Sequence, residues 1–140
     1  MAAVFVATSA TQQEWGSDVG ISQHLYKMGV AEGEGEQAAK DAVAAMNESK
    51  YAGQSDWTLA GFKDLAVDSE DAFIKKMAER QTMIDPTYYP KIKGARGIFK
   101  VNVKNVEASV MMKATMEGKA PKVPKLKPKD IAAYLLAAAA

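Results

Sequence analysis

Hydrophobic and polar positions alternate most clearly between Leu25 and Glu32. Tyr26, Met28 and Val30 fall on one side, and Lys27, Gly29 and Ala31 on the other. A period of two predicts a strand. The Gly-rich turn Ala31–Glu36 follows, and the spacing of Ala38, Ala39, Ala42, Val43 and Met46 predicts a helix from Glu36 to about Lys50, supported by Glu36 four residues before Lys40. A β-α segment results. Trp57–Ala60 reads either as a returning strand or, with Phe62 and Leu65, as a short helix, and Gly61 weakens both readings.

Asp68-Ser69-Glu70-Asp71 reads as a helix start with an Asp cap and acids in the first turn. Phe73, Ile74, Met77 and Ala78 form its apolar stripe, and Pro86 bounds the helix because the residue before a proline avoids helical angles. Ile98–Val101 is extended. Asn102 caps a helix whose stripe is Val103, Val106, Val110 and Ala114, with Met111, Met112 and Met116 beside it, and Gly118 stops it. The methionines are expected in the core, although such a cluster can also form an adaptable binding surface.

The Lys119–Lys129 run holds three prolines and no acid, so it is expected to be an extended strap. Its 11 residues would reach roughly 34 Å at ~3.1 Å per residue. It leads to a short terminal helix from Asp130 to about Leu136 that is apolar enough to require packing. The first twenty residues lack periodicity and read as a loose arm, with Val4, Phe5, Val6 and Trp15 docking on the core or a partner. The expected organisation is an arm over 1–20, a compact domain over 21–118, and a strap with helix over 119–140. The fold class is α+β, a helix-dominated single domain, and an all-α bundle is the alternative.

Composition adds limits. A chain of 140 residues with 48% apolar and 25% charged positions suits one globular domain with its own core. The absence of cysteine excludes disulfides, thiolate catalysis and Cys-ligated metals. No apolar run approaches the ~20 residues of a membrane span, and the apolar start has no basic residue before it. A soluble, cytoplasmic protein is expected.

Charge changes the picture more. Residues 1–90 hold 7 Lys and Arg against 14 Asp and Glu, and residues 91–140 hold 11 against 3, so a net charge of +1 conceals segments of −7 and +8. The two segments either face each other within the fold or leave the basic one for an acidic partner.

Chemical motifs are few. His24 is the only histidine, which gives no metal-ligand spacing and no triad signature. Glu32, Glu34 and Glu36 lack the spacing of a calcium loop, and their charge opposes phosphate in the same turn. Gly94-Ala95-Arg96-Gly97 among Lys91, Lys93 and Lys100 has the G-x-x-G form that clamps nucleic-acid backbones in KH modules, but it lies between Pro90 and an extended segment rather than between helices. The strap has the charge of a nucleic-acid tether without stacking aromatics.

The expected function is a non-enzymatic protein-interaction module, a small subunit or adaptor of a hetero- or homo-oligomeric assembly, with charge segregation orienting its partner. Its candidate contact residues are Tyr88, Tyr89, Lys93, Arg96, Lys122, Lys125, Lys127, Tyr134 and Leu135. No catalytic residue, cofactor or metal is indicated. The alternatives are nucleic-acid binding through residues 91–129, and an enzyme or small-ligand carrier with a pocket lined by Trp57, Tyr26 and Tyr88.

Overall fold

Five consecutive residues, Ala3 to Ala7, are buried near the start of the chain. They belong to strand β1 (Ala2–Ser9) in the computed structural model, which describes residues 2–20, 24–51, 54–84, 97–118 and 127–139. Ala3, Phe5 and Ala7 enter one core cluster, and Val4 and Val6 enter a second on the opposite face of the strand. A strand covered on both faces has a continuous apolar run instead of an alternating one. This corrects the reading of residues 1–20 as a loose arm, because residues 2–9 form a strand in the interior of the sheet. Its continuation, α1 (Ala10–Asp18), is capped by the Ser9 hydroxyl, which accepts from the Gln12 amide at 3.1 Å.

The chain then forms β2 (Leu25–Val30), α2 (Gly35–Glu48) and β3 (Trp57–Leu65). Both strands pair antiparallel to β1, from opposite sides, with registers running from Val4↔Val30 to Ala7↔Lys27 and from Ala2↔Leu65 to Ser9↔Trp57. β2 and β3 are therefore parallel to each other with β1 between them, a split β-α-β unit. The Trp57 segment is a strand, and Asn47 of α2 fixes its start. The Asn47 side chain donates to the Trp57 carbonyl (2.9 Å) and accepts from the Trp57 amide (2.7 Å). The expected Glu36–Lys40 ion pair is present at 2.8 Å on the surface of α2.

Next come α3 (Glu70–Arg80), β4 (Thr82–Met83), β5 (Ile98–Lys100), α4 (Val103–Met116) and α5 (Pro128–Ala139). The cap of α3 is Ser69, whose hydroxyl accepts from the Ala72 amide, not Asp68. The sheet order is β3-β1-β2-β5-β4, antiparallel throughout. Among the described residues, a sheet of five strands with five helices makes the fold α+β and removes the all-α alternative.

The two core clusters are the two faces of this sheet. α2 supplies Ala39, Val43 and Met46 to the first, and α3, α4 and α5 supply Phe73, Met77, Val106, Ile131 and Leu135 to the second. α5 sits close to β3, since a Cβ at Gly61 would lie 3.0 Å from the Ala132 Cβ. Glycine inside β3 thus admits the helix. The Arg80 guanidinium at the end of α3 donates to the Ala138 carbonyl of α5 at 2.6 Å.

The methionine expectation is also corrected. Of the α4 stripe only Val106 is fully buried, while Val110 is 37%, Met112 65% and Met116 82% exposed. Among the described residues, no helix is long and apolar enough to cross a membrane.

Candidate functional site

The polar residue buried most unexpectedly is Lys27, at 2% exposure. Its place follows from register. It stands opposite Ala7 of β1 and Ile98 of β5, and the strand period puts it on the α2 face with Leu25 and Ala31. A charged group removed from water needs hydrogen bonds or a counter-charge to remain there. The Lys27 Nζ donates to the Tyr51 hydroxyl at 2.9 Å and lies 4.7 Å from the centroid of the same ring. Both contacts favour a cation.

Tyr51 is in turn held from behind. It follows the C-terminus of α2, just after Lys50, which adopts a positive φ of 52°. Its carbonyl accepts from the Trp57 indole at 2.9 Å, and the two rings meet edge to face at 6.4 Å. On the other side of the lysine, Gly97 has φ +78°, and a Cβ there would lie 3.0 Å from Lys27 Nζ and 2.9 Å from the Met28 carbonyl. Only glycine gives this backbone both the conformation and the close approach.

Lys27 and Tyr51 line a cavity of about 620 Å³, within the ~300–1,000 Å³ range of small-molecule sites. Its apolar walls include Phe5, Ala42 and Met46, and its acidic residues are Glu32, Asp41 and Glu70. Glu32 and Asp41 are exposed and Glu70 is half-buried. Gly29 makes room for one of these walls: a Cβ there would fall 2.6 Å from the tip of the Phe5 ring, so that ring occupies the space a side chain would take.

Glu70 arrives from the first turn of α3. Its Oε2 accepts from the Val30 amide at 3.0 Å, beyond the part of β2 that pairs with β5, which ends at Lys27. One ammonium and three carboxylates therefore share a cavity with apolar walls. Such a site can orient a ligand by its polar ends and enclose its apolar part.

A second concavity of about 390 Å³ lies among Gln13, His24, Tyr26, Glu107 and Lys127. Burial raises the Tyr26 phenol above its usual pKa, partly offset by its hydrogen bond with Gln13, and burial lowers His24. Among the described residues, no group of three or more His, Asp or Glu side chains could hold a metal ion.

The sequence-derived contact residues separate accordingly. Tyr88, Tyr89, Lys93, Arg96, Lys122 and Lys125 lie outside the described residues. Lys127 is exposed at the second concavity, Tyr134 is half-buried, and Leu135 is wholly buried against the chain's own sheet. The expected pocket of Trp57, Tyr26 and Tyr88 is not assembled. Trp57 and Tyr26 belong to clusters on opposite faces of the sheet, and Tyr88 lies outside the described residues. Trp57 instead supports Tyr51 from behind. Lys27 was legible as a lysine inside an apolar alternating strand, but alternation alone places such a residue on a solvent face. Compared with protein families, with curated proteins and with solved structures, the chain finds no significant match.

Proposed function

We propose that this domain binds a small molecule in the cavity between β2 and α2, with Lys27 as its anchoring group. The observation that carries the reading is the Lys27 ammonium, 2% exposed, on the wall of a cavity of about 620 Å³. A buried charge costs several kcal/mol of desolvation, and a protein that needed only stability would be served by an apolar side chain there. Polar residues held at such cost collect at binding sites. The reading is of binding, with no catalytic step assigned.

The test is native mass spectrometry of the protein purified at gentle salt, beside Lys27→Met. A companion mass retained by the wild type and lost in the variant is the expected result. If the two proteins carry the same mass, or neither carries any and no compound of a broad metabolite panel raises the wild-type melting temperature, the reading fails.

A second reading is favoured by α4, where Val110, Met112 and Met116 are exposed. We infer a protein contact there, made with an acidic, apolar segment of a partner, since residues 91–140 carry the +8 segment of the chain. Under this reading the domain is a small subunit or adaptor. Met112→Ser with Met116→Ser would release the partner in gentle-salt sizing. A wild type that runs as a lone monomer at every salt concentration contradicts it.

A further inference from the structure

The methionines of this chain fall into groups by exposure. Met28, Met46 and Met77 are buried at 0%, 6% and 1%, and Met83 and Met111 are half-buried. Met112 and Met116 stand apart at 65% and 82% exposure. We infer that Met112 and Met116 form a reversible oxidation site on α4, where each sulfur takes one oxygen from a peroxide and the outer face of the helix turns polar while the fold stays intact. The site depends on neither reading of function given above.

The two residues are four apart in α4, so they are neighbours on one side of the helix. Val106 is the residue of α4 that is buried in the core. The two sulfurs lie in the turns beyond it, open to small oxidants in water. Attack by a sulfur lone pair on one oxygen of hydrogen peroxide breaks the O–O bond. The departing hydroxide takes the proton of the transferred hydroxyl and leaves as water. Sulfur loses two electrons and the peroxide gains them, so the step balances without a further reactant.

The product is a sulfoxide, which makes a flexible apolar side chain polar. At Met112 and Met116 its oxygen meets water and is satisfied. At Met28 or Met77 the same oxygen would be a buried acceptor without a donor, which destabilises a core. Peroxide reaches those sulfurs only when the core opens, a rare event in a folded domain. Exposure therefore sets both the order of attack and its consequence, and α4 takes its two oxygens before the core is touched. Reversal needs two electrons per sulfur, supplied by methionine sulfoxide reductases, one enzyme for each sulfoxide epimer. Side chains as exposed as these are accessible to both enzymes.

Peptide mass mapping of the intact chain during treatment with hydrogen peroxide tests the inference. Met112 and Met116 should each take oxygen at least about tenfold faster than Met28, Met46 and Met77. When both carry one oxygen, the melting temperature should be unchanged and elution from a hydrophobic-interaction column should come earlier. The two reductases together should restore the original elution. Met112→Leu with Met116→Leu keeps an apolar face without the sulfurs, and its elution should not move under the same treatment.

A smaller difference in rate between the two α4 sulfurs and the core ones would overturn the inference. So would an equal elution shift in the double variant, a melting temperature that falls with the first two oxygens, or sulfoxides that the reductases leave in place.

Discussion

Replacing Leu135 with alanine separates two views of α5. In one, the basic strap carries this helix to a partner; in the other, the helix completes the second core of its own domain. Leu135 is 0% exposed and packs in the cluster formed with β1, α3 and α4. The substitution removes three buried carbons, worth about 2.4 kcal/mol at ~0.8 kcal/mol each. Incomplete collapse around the cavity adds to this, and buried Leu→Ala changes cost ~2–5 kcal/mol. A loss of about 3 kcal/mol is expected, a large part of the ~5–15 kcal/mol that domains possess. Urea unfolding followed by the fluorescence of Trp15 and Trp57 measures it, since both residues pack with the first core cluster and so report on the domain as a whole. Ala133→Ser, at an exposed position of the same helix, is the control and should change stability by less than ~0.5 kcal/mol. If Leu135→Ala costs under ~1 kcal/mol, α5 is not seated on the sheet and the packing described above is wrong.

Other expectations follow from polar groups in the structure. The Gln12 side chain is buried, and among the described residues neither its carbonyl nor its amide has a hydrogen-bond partner, so Gln12→Leu should stabilise by ~1 kcal/mol, and a lower melting temperature would contradict this. Asp56 accepts from the Ser9 hydroxyl, from the Thr11 amide at 3.0 Å and from the Thr11 hydroxyl at 2.8 Å. Partial burial raises its pKa, but these hydrogen bonds outweigh it and hold the carboxyl below its usual value. Its contribution is therefore present above the unfolded aspartate value of about 3.9 and is lost as pH falls through the folded one. Asp56→Asn should flatten the acid limb of a stability–pH curve, and an unchanged limb would refute the assignment.

How much of this was legible depended on how many faces each element buries. α2 and α3 bury one stripe each, and their 3.6-residue spacing made both visible. β1 buries both faces, so its sequence carries no alternation, and its place inside the sheet becomes apparent only when β2 and β3 flank it. Trp57 was ambiguous because a glycine interrupts its strand, and Gly61 is there to admit α5, a contact more than seventy residues away in sequence. The α4 stripe predicted burial that the other elements do not supply, since a helix needs a partner surface as well as a pattern. The Lys27 cavity was the least legible feature. It joins a strand, the first turn of α3, the end of α2 and a single glycine, and no short motif spans those positions.

The position of β1 between β2 and β3 also bears on how the chain folds. Its longest partner is β3, with Ser9 paired to Trp57 and Ala2 to Leu65. The strand that reaches both cores must therefore close loops of roughly fifty to sixty residues before its apolar run is sheltered. Non-local pairing of this kind slows folding. Until β3 arrives, the Val4-Phe5-Val6 segment has one open edge and two uncovered faces, which is the state in which unpaired strands find other chains. The same residues that define the native sheet make its assembly the step most exposed to aggregation, and dilute, rapid refolding should favour recovery of the folded chain.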